Sequence, residues 1–163
     1  MEGLISLPFN FKIVDASAGP VTTNGGVTFD YVSLKNAIKV WIVLQFTQAV
    51  GHATSVQPKK ATAVAGTGAT NITKNAQGWK NEDTATSDTL VAATAATSFA
   101  VANTVKKKQI IIEIDPANGD FDENYDVLGC SVSDSSQATN FVAAQYFIQT
   151  KYQAATPPAA ITD

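Results

Sequence analysis

The stretch from Ile110 to Asp134, IIIEIDPANGDFDENYDVLGCSVSD, holds the densest set of groups in this chain that could do chemistry. Asp115, Asp120, Asp122, Glu123 and Asp126 fall within it. Calcium takes roughly six to eight oxygen ligands, and the EF-hand loop supplies them at alternate positions before a glycine. Here Ala117 occupies one of those positions and no flanking helices are readable. The reading is a solvated loop with Asp115-Pro116 and Asn118-Gly119 as turn formers, and no metal is expected. Paired carboxylates could also serve a glycosidase, but nothing else in the sequence points to a sugar cleft. His52 is the only histidine, so any Ser–His–Asp arrangement would need it. It follows a glycine in AVGHATS, no G-x-S-x-G is present, and it reads as a solvent-exposed structural residue. Gly66-Thr67-Gly68 lacks the third glycine of a dinucleotide fingerprint and the Lys-Ser/Thr ending of a phosphate loop, so it reads as a turn. Cys130 alternates with Leu128 and Val132 and reads as a small buried hydrophobe. No catalytic residue and no cofactor is expected, and the chain is read as a non-enzyme.

The elements that would carry these residues are strands. In AIKVWIVLQF, Val40, Ile42, Leu44 and Phe46 fall on one face and Lys39, Trp41, Val43 and Gln45 on the other. Trp41 and Val43 make the second face partly apolar, as in a strand covered on both sides, and Trp41 reads as core. DYVSLKN is a shorter strand. Ile110, Ile112 and Ile114 alternate with Ile111, Glu113 and Asp115, and Pro116 ends that strand. Leu128, Cys130 and Val132 continue inward, and Tyr146, Ile148 and Thr150 alternate with Phe147, Gln149 and Lys151. A helix over 137–144 competes with this last strand. ATAVAGTGAT reads as a tight turn or bulge, 80–88 as a loop, Trp79 in AQGWKNED as a loop residue, and the threonine-rich 89–101 as strand. The fold predicted is all-β, an antiparallel sandwich or barrel of jelly-roll-like kind.

Composition narrows the job. The chain has 163 residues, a length suited to one domain, a net charge of −3 and only 15% charged residues. Every basic residue is lysine. Without arginine's planar fork for phosphate and guanine, nucleic acid is not an expected partner. The run Lys106-Lys107-Lys108 reads as a solvated strand start. One cysteine permits no internal disulfide. MEGLISLPFNFK lacks the basic-then-apolar pattern of a secretory signal, and no run approaches the ~18 apolar residues of a membrane span, so no membrane partner is expected.

The ends read differently from the middle. Residues 1–28 show little periodicity and residues 153–163, QAATPPAAITD, carry Pro157 and Pro158, so both are expected as arms flanking a β domain over 29–152. Yet Leu4, Ile5, Leu7, Phe9, Phe11 and Ile13 are too apolar for a solvated tail. The expected interface therefore comprises these six residues, Trp79 as an aromatic anchor, and Pro157, Pro158 and Ile161 of the tail.

Four stretches, DYVSLKNAIKVWIVLQF, ATAVAGTGAT, IIIEIDPANGDFDENYDVLGCSVSD and PPAAITD, occur in an order that resembles a family of small virion structural proteins of tailed bacteriophages and prophages. The resemblance implies a capsid cement or decoration protein with no catalytic motif. Its implied partners are the major capsid protein and its own copies, as a dimer or trimer. Its implied location is the outer surface of the capsid, in a virion assembled in the host cytoplasm. A tail or neck structural protein and a carbohydrate-binding β module, with Trp79 stacking on sugar, are the alternative readings.

Overall fold

The computed structural model describes residues 7–152, in which one short helix, α1 (Leu7–Asn10), precedes thirteen strands. They are β1 (Phe11–Asp15), β2 (Val21–Thr22), β3 (Val27–Thr28), β4 (Val32–Ser33), β5 (Ala37–Thr47), β6 (Thr54–Ala61), β7 (Thr70–Asn71), β8 (Ala76–Asn81), β9 (Val91–Ala96), β10 (Phe99–Val101), β11 (Lys107–Ile114), β12 (Val127–Val132) and β13 (Phe141–Thr150). Two antiparallel sheets pack as a sandwich. The larger has the order β1-β13-β5-β11-β8-β9, with β2 also on β13. The smaller has the order β10-β6-β12-β3, with β4 on β12 and β7 on β6.

Period two explains why the two sheets meet where they do. Val40, Ile42, Leu44 and Phe46 on β5 register with Ile114, Ile112, Ile110 and Lys108 on β11 and with Ile148, Tyr146, Ala144 and Val142 on β13. All these side chains are buried. Leu128, Cys130 and Val132 face them from β12, as the alternation requires. Two glycines are set by close approach rather than by conformation. A Cβ on Gly78 would stand 2.4 Å from Phe99 Cε1, and one on Gly129 would stand 2.3 Å from Tyr31 Cε1. Each glycine leaves room for an aromatic ring close against its strand.

Several expectations need correction. Residues 11–28 are not an arm. β1 pairs along its whole length with β13, from Phe11 opposite Gln149 to Asp15 opposite Gln145, and β2 and β3 complete the sheets. The stretch 137–144 forms no helix, because Phe141 onward pairs with β5. Trp79 lies within β8, between Ile111 of β11 and Ala92 of β9, not in a loop. Lys108 is not solvated. It shares the phase of Ile110 and Ile112, is 1% exposed, and donates from Nζ to Gln48 Oε1, to Ala102 O at 2.6 Å and to Thr104 O at 2.9 Å. Burial pushes its pKa down, against the opposing pull of Glu82. Residues 89–101 are strands, β9 and β10, as expected.

Candidate functional site

The acidic loop is a clamp. Asp120, in the connection between β11 and β12, has a side chain with 0% exposure, contrary to the solvated loop expected of it. Its two carboxylate oxygens accept Thr73 N at 2.9 and 3.0 Å, Thr73 Oγ1 at 2.8 Å, Lys74 N at 2.6 Å and Lys60 Nζ at 3.3 Å. Lys60 Nζ also donates to the backbone oxygen of Asp120 at 2.9 Å and lies 4.9 Å from the centre of the Tyr125 ring. Desolvation raises the Asp120 pKa, but the hydrogen bonds from Thr73, Lys74 and Lys60 outweigh it and hold the carboxyl below its ordinary value. Asp115 and Asp122 serve their own turn, accepting Ala117 N at 2.8 Å, and Asn124 N and Tyr125 N at 2.8 and 2.9 Å. Among the described residues no group of three or more His, Cys, Asp or Glu side chains could hold a metal ion.

The other chemistry-bearing residues are dispersed. His52 is half-buried rather than exposed, its Nδ1 lies 2.9 Å from Ala53 O, and its backbone oxygen accepts Gln48 Nε2 at 2.7 Å. Cys130 is fully buried, and burial pushes its thiol up to about 12, which leaves it a protonated core side chain. Gly66 and Gly68 sit in the turn between β6 and β7 with φ of 75° and 64°.

The residues that do converge are aromatic. The outer face of the larger sheet can be read off the strand register in rows. One row runs Ile13, Phe147, Trp41, Glu113, Gln77 across β1, β13, β5, β11 and β8. The next runs Asp15, Gln145, Val43, Ile111, Trp79, Ala92 and reaches β9. Phe11 reaches over β13 to Trp41, with ring centres 5.7 Å apart and planes at 64°, an edge-to-face contact. Both tryptophans of the chain therefore stand on one face, on the order of 12 Å apart for two strand spacings and a two-residue offset along the strand. Trp41 is not core, as the sequence suggested. It is half-buried on this outer face, and its Nε1 donates to Glu113 Oε2 at 3.1 Å. Glu113 Oε1 in turn pairs with Lys39 Nζ at 2.6 Å. A polar border surrounds the apolar band: Gln45, Gln109 and Asn81 along one side, Gln149 and Lys39 along the other. Beyond Gln45 and Gln109, the 84–88 loop closes a groove of about 510 Å³ that Thr47, Asp88 and Lys107 also line.

Three residues expected at an interface, Phe11, Ile13 and Trp79, are brought together on this face, with Ile13 43% exposed. Leu7 is exposed on α1. Leu4, Ile5, Pro157, Pro158 and Ile161 lie outside the described residues, as does the side chain of Phe9. Reading the sequence alone missed Trp41, Phe147 and Ile111 as members of this face. Their signal was present in the alternation itself, which puts them out of phase with the core residues beside them.

No protein-family model matches this chain, and no curated protein matches it. Among solved structures it is similar to the CBM22-1–GH10 modules of Clostridium thermocellum endo-1,4-beta-D-xylanase 10B, complexed with xylohexaose, at 9% identity. The match covers 92% of this chain and 26% of that one, with a TM-score of 0.35. The chain thus spans about a quarter of the length of that structure, and a likeness this slight assigns nothing to it.

Proposed function

We propose that this chain is a non-enzymatic virion structural protein, a capsid cement or decoration protein that docks on the major capsid protein through the outer face of its larger sheet. The observation that carries the reading is the band of Phe11, Ile13, Phe147, Trp41, Val43, Ile111 and Trp79 inside a rim of glutamines and paired charges. Aromatic anchors beside polar groups are the anatomy of a protein interface. The order of four sequence stretches, which resembles that of small phage virion proteins, supports the partner. Reinforcement follows from multivalency, since each copy that bridges capsid subunits adds a modest contact that neighbouring copies multiply. A carbohydrate-binding module is the second reading, favoured by the two tryptophans sharing a face with neutral amides.

The test uses capsids assembled from a tailed-phage major capsid protein, with and without this chain. The full chain should sediment with those capsids, and an antibody against it should label heads in the intact virion. Labelling of tails or necks alone would overturn the head assignment. Binding to capsids that a neutral polysaccharide abolishes would favour the sugar reading.

A further inference from the structure

We infer that Asn118 is a site of spontaneous deamidation, and that Asn24, the other asparagine followed by glycine, is held unreactive by the fold. In the reaction the backbone nitrogen of residue i+1, having lost its proton, attacks the side-chain carbonyl carbon of the asparagine. The new C–N bond closes a succinimide and ammonia leaves. Water then opens the ring at either carbonyl, giving aspartate or isoaspartate. No oxidant, reductant or cofactor is involved. Glycine at i+1 presents no side chain to obstruct the attack, so Asn118-Gly119 and Asn24-Gly25 start equal in sequence.

The structure separates them at the attacking nitrogen. Gly25 N donates to Asp134 Oδ1 at 2.7 Å, and Gly26 N donates to Thr23 O at 3.2 Å, so the turn is pinned on both sides of the reacting bond. The carboxylate of Asp134 also opposes the negative charge that Gly25 N must acquire. Gly119 lies on the exposed surface, and its nitrogen donates no hydrogen bond within the described residues. Lys74 Cε, the carbon that bears the ammonium, lies 4.0 Å from where a Cβ of Gly119 would stand. A positive charge there favours the deprotonated nitrogen. Asn118 is prepared as well. Its Oδ1 accepts Asp120 N at 3.0 Å, which polarises the carbonyl under attack and holds the side chain over the following peptide. A like charge as near as the Asp134 carboxylate is to Gly25 N shifts an ionisation by about one unit or more, so Asn118 should react at least about tenfold faster than Asn24.

The location gives the reaction a consequence. Isoaspartate at 118 adds a carbon to the backbone two residues before Asp120 and removes the side-chain acceptor of its amide. Conversion therefore loosens the clamp that ties this turn to Thr73, Lys74 and Lys60. The experiment is incubation of the full chain in mildly alkaline buffer, followed by peptide mass spectrometry at both sites. Conversion at 118 should exceed that at 24 about tenfold or more, Asn118→Gln should abolish the gain at 118 alone, and Lys74→Met should slow it several-fold. Urea-unfolded chain provides the reference in which both sites react alike. Conversion at 24 equal to or faster than at 118 in the folded chain would overturn the inference, as would equal protection of both sites relative to the unfolded chain.

Discussion

Replacing Asp120 by alanine removes the carboxylate that holds the β11–β12 turn to two other parts of the chain. Its side chain is 0% exposed, and its oxygens accept four donors, two of them backbone amides and one a lysine. The alanine variant leaves Thr73 N, Lys74 N and the Lys60 ammonium short of partners, with Lys60 only 16% exposed. Breaking a buried pair on one side costs about 3–5 kcal/mol. Lys60 keeps its bond to the backbone oxygen at residue 120, which places the expected loss toward the lower end of that range. The sign with pH follows from the depressed carboxyl. A group whose folded pKa lies below its unfolded value contributes stability that is present above the unfolded pKa, about 3.9 for aspartate, and lost as pH falls through the folded pKa. Urea denaturation of wild type and Asp120→Ala at neutral pH should thus give midpoints differing by about 3 kcal/mol in stability. The gap should narrow on acidification below about pH 4. A loss under about 1 kcal/mol at neutral pH, or a gap that persists unchanged in strong acid, would refute the clamp.

Three further outcomes follow from the same packing. Ile112→Ala, at a side chain with 0% exposure between β5 and β8, should cost about 2–5 kcal/mol by chemical denaturation. Gly129→Val should displace the Tyr31 ring and lower the melting temperature, because an added Cβ would stand 2.3 Å from Tyr31 Cε1. Calcium or a chelator should leave the melting temperature unchanged, because the Asp120 oxygens are already occupied by protein donors; a site filled at about 100 times its dissociation constant would add roughly 2.7 kcal/mol.

Much of the sandwich was legible because its central strands keep strict period two. Val40 to Phe46, Ile110 to Ile114 and Leu128 to Val132 announce both strand and inward face. β1 was not legible, since FKIVD turns its larger apolar residues, Phe11 and Ile13, outward and Lys12 and Val14 toward the other face. A strand whose outer face is as apolar as its inner one gives no amphipathic signal. The same ambiguity hid Trp41, which alternates with Ile42 on a strand that is apolar on both sides. Lys108 was readable in principle, because phase with Ile110 fixes it inward; charge run and phase disagreed, and burial with three acceptors followed the phase. Asp120 carried no local mark of its role. Its partners lie 46 to 60 residues away in sequence, and only the fold brings them together.

The central claim is that the outer face of the larger sheet is the capsid-binding surface. Its most direct measurement is the affinity of the full chain for capsids with Trp79→Ala and Ile13→Ser set against Thr28→Lys, an exposed change on the smaller sheet. Anchor residues at the centre of an interface cost about 2 kcal/mol or more when truncated, roughly a thirtyfold loss of affinity. Trp79→Ala should lose about that much and Ile13→Ser less, both with unchanged far-UV spectra, while Thr28→Lys binds as wild type. Wild-type affinity in Trp79→Ala, or a loss confined to Thr28→Lys, would contradict the account.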